Sequence, residues 1–595
     1  MSRPRRNKSE AKAKPGDGEV LMLSRAADGA KDVRYEVIVL VVLAAVGVYF
    51  SVLYFAHQPV PNPDFTAFVR IGHDLLSFEK PADTKRLPVF GLLVAGLGHV
   101  VGGHHPDLTA GWLLNAVLYP LCGILMWRIG KRFVGEASVW LSIIVITNPY
   151  LLALVSEPIA EITLLFFVLL TFFVMFKGSR WCYLLGCVTM MVRFEGAALV
   201  LAAFVMDMIK RKGKKDKIKS LVCAGAACVP LAGWMLFTSL CGKGMGGGGY
   251  VKEMGYDGGF AEVFVKYLEM MWQVCVGSLF TVRQDGPEGL AKAIMVCSKV
   301  VLSGGFLFGC VWGMVKKQWE VLALLLFLVP YYIIHVLHSF VLPRYCTIAF
   351  WIVLLISLYG LQSVWGFVKM PKRAKVILQS ILIVVMLVWM GSLLEFIPKL
   401  VPYSPRSGSV PYVLAGAVLV IFAGHVAVYR SRGLMGNIAI VSLMGLMIVS
   451  NQFGISRAVG QGTKHIEFKM LAKWYVENVE DGEKMASALP NVLSIYAPKY
   501  KDSFVHFSSF KVDSPEAFVR KCYKKKVRYV AWDAVGGRQV GGKYYKLWGF
   551  KNIAILSQPR SVGPYEFVTQ IKASESQYIN VFRLREIDSG SQTPE

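Results

Sequence analysis

Several charged side chains lie at the ends of long apolar segments, where a membrane protein would meet water. Asp64 lies in the stretch NPDFTAFVRIGHDLL, shortly after the first apolar run ends. Glu157 lies in LVSEPIAE, Arg193 and Glu195 lie in VRFEG, and Arg344 lies in FVLPRY. Four separated segments would therefore bring acids and cations to a similar depth of a membrane.

This combination of side chains is suited to one kind of group transfer. A carboxylate can act as general base on an acceptor hydroxyl, and cations can stabilise a leaving phosphate. An enzyme with a lipid-linked phosphate donor needs both at the lipid–water boundary. The simpler interpretation is that a loop acid is solvated and that a charged residue at a span end only reaches the interface. Taken alone, Asp64 fits that simpler interpretation.

The composition predicts a polytopic α-helical membrane protein. Of 595 residues, 55% are hydrophobic, mean hydropathy is +0.49, and many apolar runs have the length that crosses a hydrocarbon core. The net charge of +26 does not indicate nucleic-acid binding, because the basic residues cluster in short loops and there determine topology. The eleven cysteines match no zinc or disulfide pattern.

The distribution of Lys and Arg predicts the orientation. A basic N-terminal tail, residues 1–35, is expected in the cytoplasm, and a first span at about 36–56 leads to an external loop at 57–108. This assignment requires the apolar stretch 87–103 to be a shallow helix that does not cross. Asp64 is then external.

The same reasoning predicts a broken helix. Residues 181–206 form one apolar stretch, but the very basic loop after it must be cytoplasmic, so two short helices should enter and return with a turn at 192–196. Charged residues at membrane depth are tolerated where they line a cavity. Arg193 and Glu195 are therefore expected to face a polar internal site.

The remaining pattern predicts about thirteen membrane helices, two of them short, within a transmembrane domain at 36–454. The predicted spans lie near 36–56, 109–130, 136–155, 158–176, 181–206 (as two short helices), 219–240, 290–314, 319–338, 345–367, 375–397, 411–428 and 434–451. An external glycine-rich loop at 241–289 is either a flexible lid or a plain connector.

Residues 455–595 are predicted to form a soluble extracytoplasmic α/β domain. Helices are expected at 467–479 and 513–526, and strands in KMASAL, DSFVHF, VRYVAWD, YEFVTQI and YINVFRL. The domain contains a single cysteine, Cys522, and so cannot hold an internal disulfide. It is either a lid or acceptor platform or purely structural.

The order of these motifs resembles a known family. Over about residues 36–367 the chain is similar to the GT-C glycosyltransferases, in particular the PMT/ArnT-like branch (glycosyltransferase family 39). The similar segments are NPDFTAFVRIGHDLL, RLPVFGLLVAGLGHVVGG, NPYLLALVSEPIAEITLLF, VTMMVRFEGAALVL and FVLPRYCTIAFW. Phe194 stands where the family commonly has a proline in the broken-helix turn, so Gly196 and the buried charges must produce the kink.

The resemblance implies an inverting hexosyl or pentosyl transfer from a polyprenyl-phosphate sugar at the extracytoplasmic face. It assigns Asp64 as the catalytic carboxylate of the first loop, either the base or an acceptor-orienting group, and Glu157 as a second acid that orients the acceptor or assists the base. The implied phosphate-binding residues are Arg193, Arg344, Lys85 and Arg86, and the possible supporting residues are Glu195, His338 and Tyr345. No metal ligand is assigned; a divalent metal is possible but not implied.

The expected partners are a lipid-linked sugar donor, a glycan, lipid or protein acceptor and the membrane, with no nucleic acid. The expected location is a bacterial inner membrane. An alternative is a transporter or flippase of lipid-linked envelope precursors, which would also place charges in broken helices. A third possibility, a non-catalytic scaffold, would not need buried charges such as Arg193. Absence of sugar transfer with any polyprenyl donor would favour the transporter, and unchanged transfer in Asp64→Asn would remove Asp64 from catalysis.

Overall fold

We describe the fold from a computed structural model of the chain. The described residues are 17–81, 86–240, 260–276, 289–337, 342–367, 465–510, 512, 514–533, 561, 563–575 and 577–585, with a few isolated positions between 371 and 421. The predicted spans near 375–397, 411–428 and 434–451 therefore lie essentially outside the described residues, as does most of the predicted glycine-rich loop.

The membrane part is helical throughout the residues described. Its helices are α1 Asp17–Leu53, α2 Pro63–Leu76, α3 Pro88–Val101, α4 Pro106–Val134, α5 Ser138–Ile146, α6 Pro149–Ser156, α7 Ala160–Phe176, α8 Trp181–Val192, α9 Ala197–Lys210, α10 Lys214–Leu240, α11 Phe260–Val276, α12 Gly289–Val315, α13 Trp319–Val336, α14 Pro343–Thr347 and α15 Phe350–Phe367. Helix α11 lies within the loop predicted at 241–289.

Four of the described helical segments are long and apolar enough to cross a membrane. They are Val33–Leu53, Pro106–Ile146, which includes the turn between α4 and α5, Lys214–Leu240 and Trp319–Val336. A fifth is counted if α6 and α7, bent by 118° at their junction, form one broken span. The predicted total of about thirteen is not tested by the part of the chain that is described.

Helices α2 and α3 pack with their backbones almost in contact. A Cβ placed on Gly72 would lie 2.2 Å from the carbonyl oxygen of Gly91, and one on Gly91 would lie 2.1 Å from the carbonyl oxygen of Phe68. Only glycine permits this approach. The close packing fixes the start of α3 beside the middle of α2. With 14 residues, helix α3 is shorter than the helices that are long enough to cross a membrane.

The predicted break in the stretch 181–206 is confirmed. Helix α8 ends at Val192, a 3₁₀ turn covers Phe194–Gly196, and α9 begins at Ala197. A Cβ on Gly196 would lie 2.4 Å from the amide nitrogen of Met190. Gly196 therefore allows the turn to fold against the end of α8, in the absence of the proline expected at position 194.

The C-terminal region forms a five-stranded mixed sheet. Its elements are α16 Ile466–Asn478, β1 Lys484–Ser487, α17 Pro490–Tyr496, β2 Phe504–His506, α18 Pro515–Lys524, β3 Val527–Asp533, β4 Tyr565–Lys572 and β5 Tyr578–Leu584. The strand order is β2-β1-β3-β5-β4, with β1 parallel to β2 and β3, and β5 antiparallel to β3 and β4. All the predicted strands and both predicted helices are confirmed.

Side-chain alternation buries both faces of this sheet. Met485 packs in a cluster with Phe468 of α16, whereas its neighbour Ala486 packs with Phe518 of α18 on the other face. Successive residues of a strand point to opposite faces, so one sheet can support two cores. We call this region the C-terminal sheet domain.

Candidate active site

Asp64 stands in the first turn of α2, held by a local cap. The side-chain oxygen of Asn62 accepts a hydrogen bond from the Asp64 amide at 3.0 Å, and Pro63 occupies the first helical position. Asparagine caps and prolines are favoured at these positions because the first amides of a helix lack intrahelical acceptors. A carboxylate here also interacts favourably with the helix dipole.

Two arginines from distant segments donate to Asp64. Arg86, just before α3, donates from Nη2 to Asp64 Oδ1 at 2.6 Å. Arg344, on α14 and 280 residues away along the chain, donates from Nη2 to Asp64 Oδ2 at 3.3 Å. Each carboxylate oxygen therefore faces a different arginine.

Glu161, in the first turn of α7, extends this contact deeper into the protein. Its Oε1 lies 3.6 Å from Nε of Arg344 and 3.1 Å from Nη1 of Arg193. The carboxylate side chain is only 4% exposed. Glu161 thus joins an arginine of α14 to the arginine at the break between α8 and α9.

The broken helix adds the most buried part of the site. Arg193 donates from Nη2 to Glu195 Oε1 at 2.9 Å, and from Nε to the same oxygen at 3.2 Å. His335 of α13 places Nε2 at 3.3 Å from that oxygen. Arg193 and Glu195 therefore face a shared polar interior, as the broken-helix argument predicted.

Tyr345 lies between the arginines. Its ring stacks on that of His335 with centroids 4.3 Å apart and planes 14° apart. The guanidinium carbons of Arg193 and Arg344 lie 5.4 and 5.2 Å from the same ring centre, within cation–π range. The phenol oxygen also accepts from Arg344 Nη2 at 3.3 Å. An aromatic wall thus limits where both guanidinium groups can lie.

We call these eight residues the ion-pair cluster: Asp64, Arg86, Glu161, Arg193, Glu195, His335, Arg344 and Tyr345. Side-chain exposure falls from 29% at Asp64 and 27% at Arg86 to 5% at Glu195 and 2% at His335. The cluster is therefore open at the Asp64 end and closed at the other. With neutral histidine, its three acids and three arginines balance in charge.

Most of the predicted site residues meet in this cluster. Asp64, Arg86, Arg193, Arg344, Glu195 and Tyr345 lie together, whereas Lys85 and His338 lie outside the described residues. Glu157 stands at the end of α6, where its carbonyl accepts from the Asn115 side chain at 2.7 Å. Glu161, four residues later, bridges Arg193 and Arg344.

Two cluster members were not among the predicted site residues. Glu161 and Glu157 share the motif SEPIAE, and the sequence alone does not show which acid faces the arginines after a 118° bend. His335 lies on the last turn of α13, close in sequence to the predicted His338. The available signal was that both residues are ionisable and lie in otherwise apolar segments.

A cavity of about 300 Å³ lies on another side of α2. Phe65 and Val69 line it from α2, and Ser494 and Lys501 line it from the C-terminal sheet domain. Asp64 is not among its lining residues. The cavity therefore marks the junction between the two parts of the chain rather than the ion-pair cluster itself.

Within the described part of the chain, no group of three or more His, Cys, Asp or Glu residues is arranged to hold a metal ion. The carboxylates of the cluster are instead paired with arginines. What the arrangement offers chemically is a partly exposed carboxylate beside cations that could receive an anionic group.

Comparison with solved structures identifies the fold. The structure of ArnT from Cupriavidus metallidurans in the apo state aligns over 91% of this chain and 97% of that chain, with a TM-score of 0.50 and 12% identity. The chain has the GT-C fold. The resemblance inferred from the sequence motifs is thus confirmed at the level of the fold, and no protein-family model or curated protein matches the sequence.

Two further GT-C structures align less closely. ArnT from the same organism bound to undecaprenyl phosphate covers 92% of this chain and 97% of that chain, at 14% identity and a TM-score of 0.49. The archaeal oligosaccharyltransferase AglB from Archaeoglobus fulgidus, in complex with an inhibitory peptide and a dolichol-phosphate, covers 86% of this chain and 70% of that chain, at 12% identity and a TM-score of 0.49.

Proposed function

We propose that this protein is a membrane glycosyltransferase that moves a sugar from a polyprenyl-phosphate donor to an acceptor hydroxyl. The observation that carries the proposal is the pairing of Asp64 with Arg86 and Arg344 at the open end of the ion-pair cluster. A base and phosphate-binding cations are the two requirements of such a transfer. The GT-C fold supports the same reaction class.

The proposed chemistry uses the exposed end of the cluster. The acceptor hydroxyl gives its proton to a carboxylate oxygen of Asp64 while its oxygen attacks the anomeric carbon of the sugar. The bond from that carbon to the phosphate oxygen breaks, and the electron pair leaves with the polyprenyl phosphate. Attack opposite to the leaving group inverts the anomeric centre.

The arginines are proposed to receive the leaving phosphate. Arg344 and Arg86 lie beside the base, and Arg193 lies behind Arg344, held by Glu161 and Glu195. Planar guanidinium groups suit phosphate oxygens because they present paired donors. Glu157 remains a proposed acceptor-orienting acid, and Lys85 and His338 remain proposed helpers.

The location and remaining parts of the chain complete the proposal. The reaction is placed at the extracytoplasmic face of an inner membrane, where the positive-inside pattern puts the loop 57–108. The acceptor is a glycan, lipid or protein hydroxyl beside Asp64. The C-terminal region 455–595 is proposed to lie on the same side.

The test is transfer of labelled sugar from polyprenyl phosphate, in membranes that contain the full-length protein. Asp64→Asn should lower turnover by about 10²- to 10⁴-fold, the usual contribution of a general base. The matched control is Asp74→Asn, which removes an acid from the far end of the same helix α2 and should leave turnover unchanged.

Unchanged transfer in Asp64→Asn would remove this carboxylate from the chemistry. If the wild-type protein transfers no sugar from any polyprenyl-phosphate donor but moves such lipids across vesicle membranes, the transporter or flippase alternative would replace the enzyme.

A further inference from the structure

The C-terminal sheet domain contacts the membrane part through the last residue of α17, Tyr496. Its hydroxyl donates a hydrogen bond to the carbonyl oxygen of Pro59, in the segment between α1 and α2. The His105 and Tyr496 rings meet in a T-shaped contact with centres 5.4 Å apart, and the Lys469 ammonium lies 5.4 Å from the centre of the Tyr496 ring. The tyrosine is therefore held on several sides at the junction.

The residue after Pro59 strengthens the attachment. Val60 is 3% exposed and packs in the same hydrophobic cluster as Phe468 and Leu493 of the C-terminal sheet domain. A valine from the segment before α2 is thus part of the core of another region. Burial of a valine side chain contributes a stabilising hydrophobic term, so two adjacent residues fasten this segment to the domain.

The fastened segment leads directly into the helix that carries Asp64. Asn62 accepts from the Asp64 amide with its side chain at 3.0 Å and from the Phe65 amide with its carbonyl at 2.9 Å. Three residues separate Val60 from Asp64, and one of them is Pro63, whose φ is restricted. A displacement at Pro59 can therefore be absorbed over only a few bonds before it reaches the carboxylate.

The protonation states keep this contact intact at neutral pH. Burial raises the pKa of the Tyr496 hydroxyl, so it remains protonated and can donate. Burial, with a smaller contribution from the Lys469 charge, lowers the pKa of His105, so its ring is neutral beside the tyrosine. A phenylalanine at position 496 could preserve the ring contacts, but it would lack the donor.

We propose that Tyr496 is a positioning residue through which the C-terminal sheet domain sets the place of Asp64 relative to Arg86 and Arg344. The proposal rests on the proposed function, because it assigns a role to Asp64 in sugar transfer. It also gives the domain a task in the reaction without requiring any of its residues to contact substrate.

The experiment compares Tyr496→Phe with wild type in the full-length protein. We expect kcat to fall by about 3- to 10-fold, the effect of one neutral hydrogen bond expressed as a rate, with KM for the polyprenyl-phosphate donor unchanged. Hydrogen exchange should be faster at the amides of Asp64 and Phe65, which the Asn62 cap protects. The matched control is Tyr500→Phe, a tyrosine four residues away that contacts Tyr475 within its own domain.

An unchanged kcat in Tyr496→Phe would overturn the proposal, whatever the amides do. So would a rise in donor KM without a fall in kcat, or an equal effect of Tyr500→Phe. A failure of the proposed function is recognised separately, because wild type would then transfer no sugar although Tyr496→Phe still exposes the first amides of α2.

Discussion

Arg193 and Arg344 both contact Glu161, but the structure predicts different consequences for their removal. Arg193 supplies the guanidinium that holds Glu195, a carboxylate whose side chain is 5% exposed. In Arg193→Gln, the cationic partner described for Glu195 is lost and His335 remains at 3.3 Å. The variant would leave a buried carboxylate short of positive charge.

In Arg344→Gln, by contrast, each acid of the cluster keeps an arginine partner. Asp64 would keep Arg86 at 2.6 Å, and Glu161 would keep Arg193 at 3.1 Å. Asp64 is also 29% exposed, so water can replace part of the lost contact. The loss is confined to the end of the cluster where we place the donor phosphate.

The expected magnitudes follow from these surroundings. Removing one partner of a buried ion pair costs about 3–5 kcal/mol of stability, which applies to Arg193→Gln. Losing a hydrogen bond to a charged group costs about 1.5–3 kcal/mol, and the exposure of Asp64 places Arg344→Gln at or below the lower end. For binding of the polyprenyl-phosphate donor we expect the larger loss in Arg344→Gln, because Arg344 lies beside Asp64, the proposed base.

The assay is thermal unfolding of the purified full-length variants in one detergent, followed by tryptophan fluorescence, together with sugar transfer on the same samples. Arg193→Gln should lower the midpoint clearly more than Arg344→Gln, while Arg344→Gln should lose transfer and stay close to wild type in stability. Equal midpoints, or a less stable Arg344→Gln, would refute the reasoning from partner count and burial.

Two further predictions concern packing and pH. Gly72→Ala should lose most transfer activity, because its Cβ would press on the Gly91 carbonyl and displace Asp64 from Arg86. Gly96→Ala, with open space around its Cβ, should keep its activity. Equal activity of the two variants would contradict this prediction. Burial lowers the pKa of His506, so the unfolded chain binds a proton more readily than the folded one and stability should fall as pH drops below about 6.5. Thermal midpoints at neutral pH and at about pH 5.5 should show a smaller drop for His506→Gln than for wild type, and an equal drop would exclude His506 as the cause.

Local reasoning predicted the parts of the fold that depend on local signals. The break at 192–196 followed from the basic loop after it, because two full crossings do not fit in the stretch 181–206. The strands of the C-terminal sheet domain followed from alternation and β-branched residues, as in VRYVAWD. The strands depend on neighbours within a few residues, and the break depends on the order of basic loops along the chain, so a single sequence contains the information for both.

Contacts between residues that are far apart in the sequence could not be predicted in the same way. The sequence indicated that Asp64 and Arg344 share a depth, but the contact between them spans 280 residues and depends on how α2, α7 and α14 pack. The choice between Glu157 and Glu161 depends on the bend between α6 and α7. Hydrophobic periodicity does not predict that bend. The two acids are only four residues apart in the sequence, so their spacing does not show which of them faces the arginines.

The charge balance of the cluster determines how a donor could enter it. The three arginines of the cluster are already paired with three carboxylates. An anionic phosphate must therefore compete with a carboxylate for a guanidinium group, because the cluster has no excess positive charge. Arg344 meets Asp64 at 3.3 Å and Arg86 meets it at 2.6 Å, so the contact of Arg344 is the one we expect to yield first. When Arg344 moves to the phosphate, Asp64 Oδ2 loses the hydrogen bond from Arg344 and can accept a proton. Under the proposed function, binding of the polyprenyl-phosphate sugar would itself activate Asp64 as the base. Without the bound sugar lipid, the Asp64 carboxylate would stay paired with both Arg86 and Arg344.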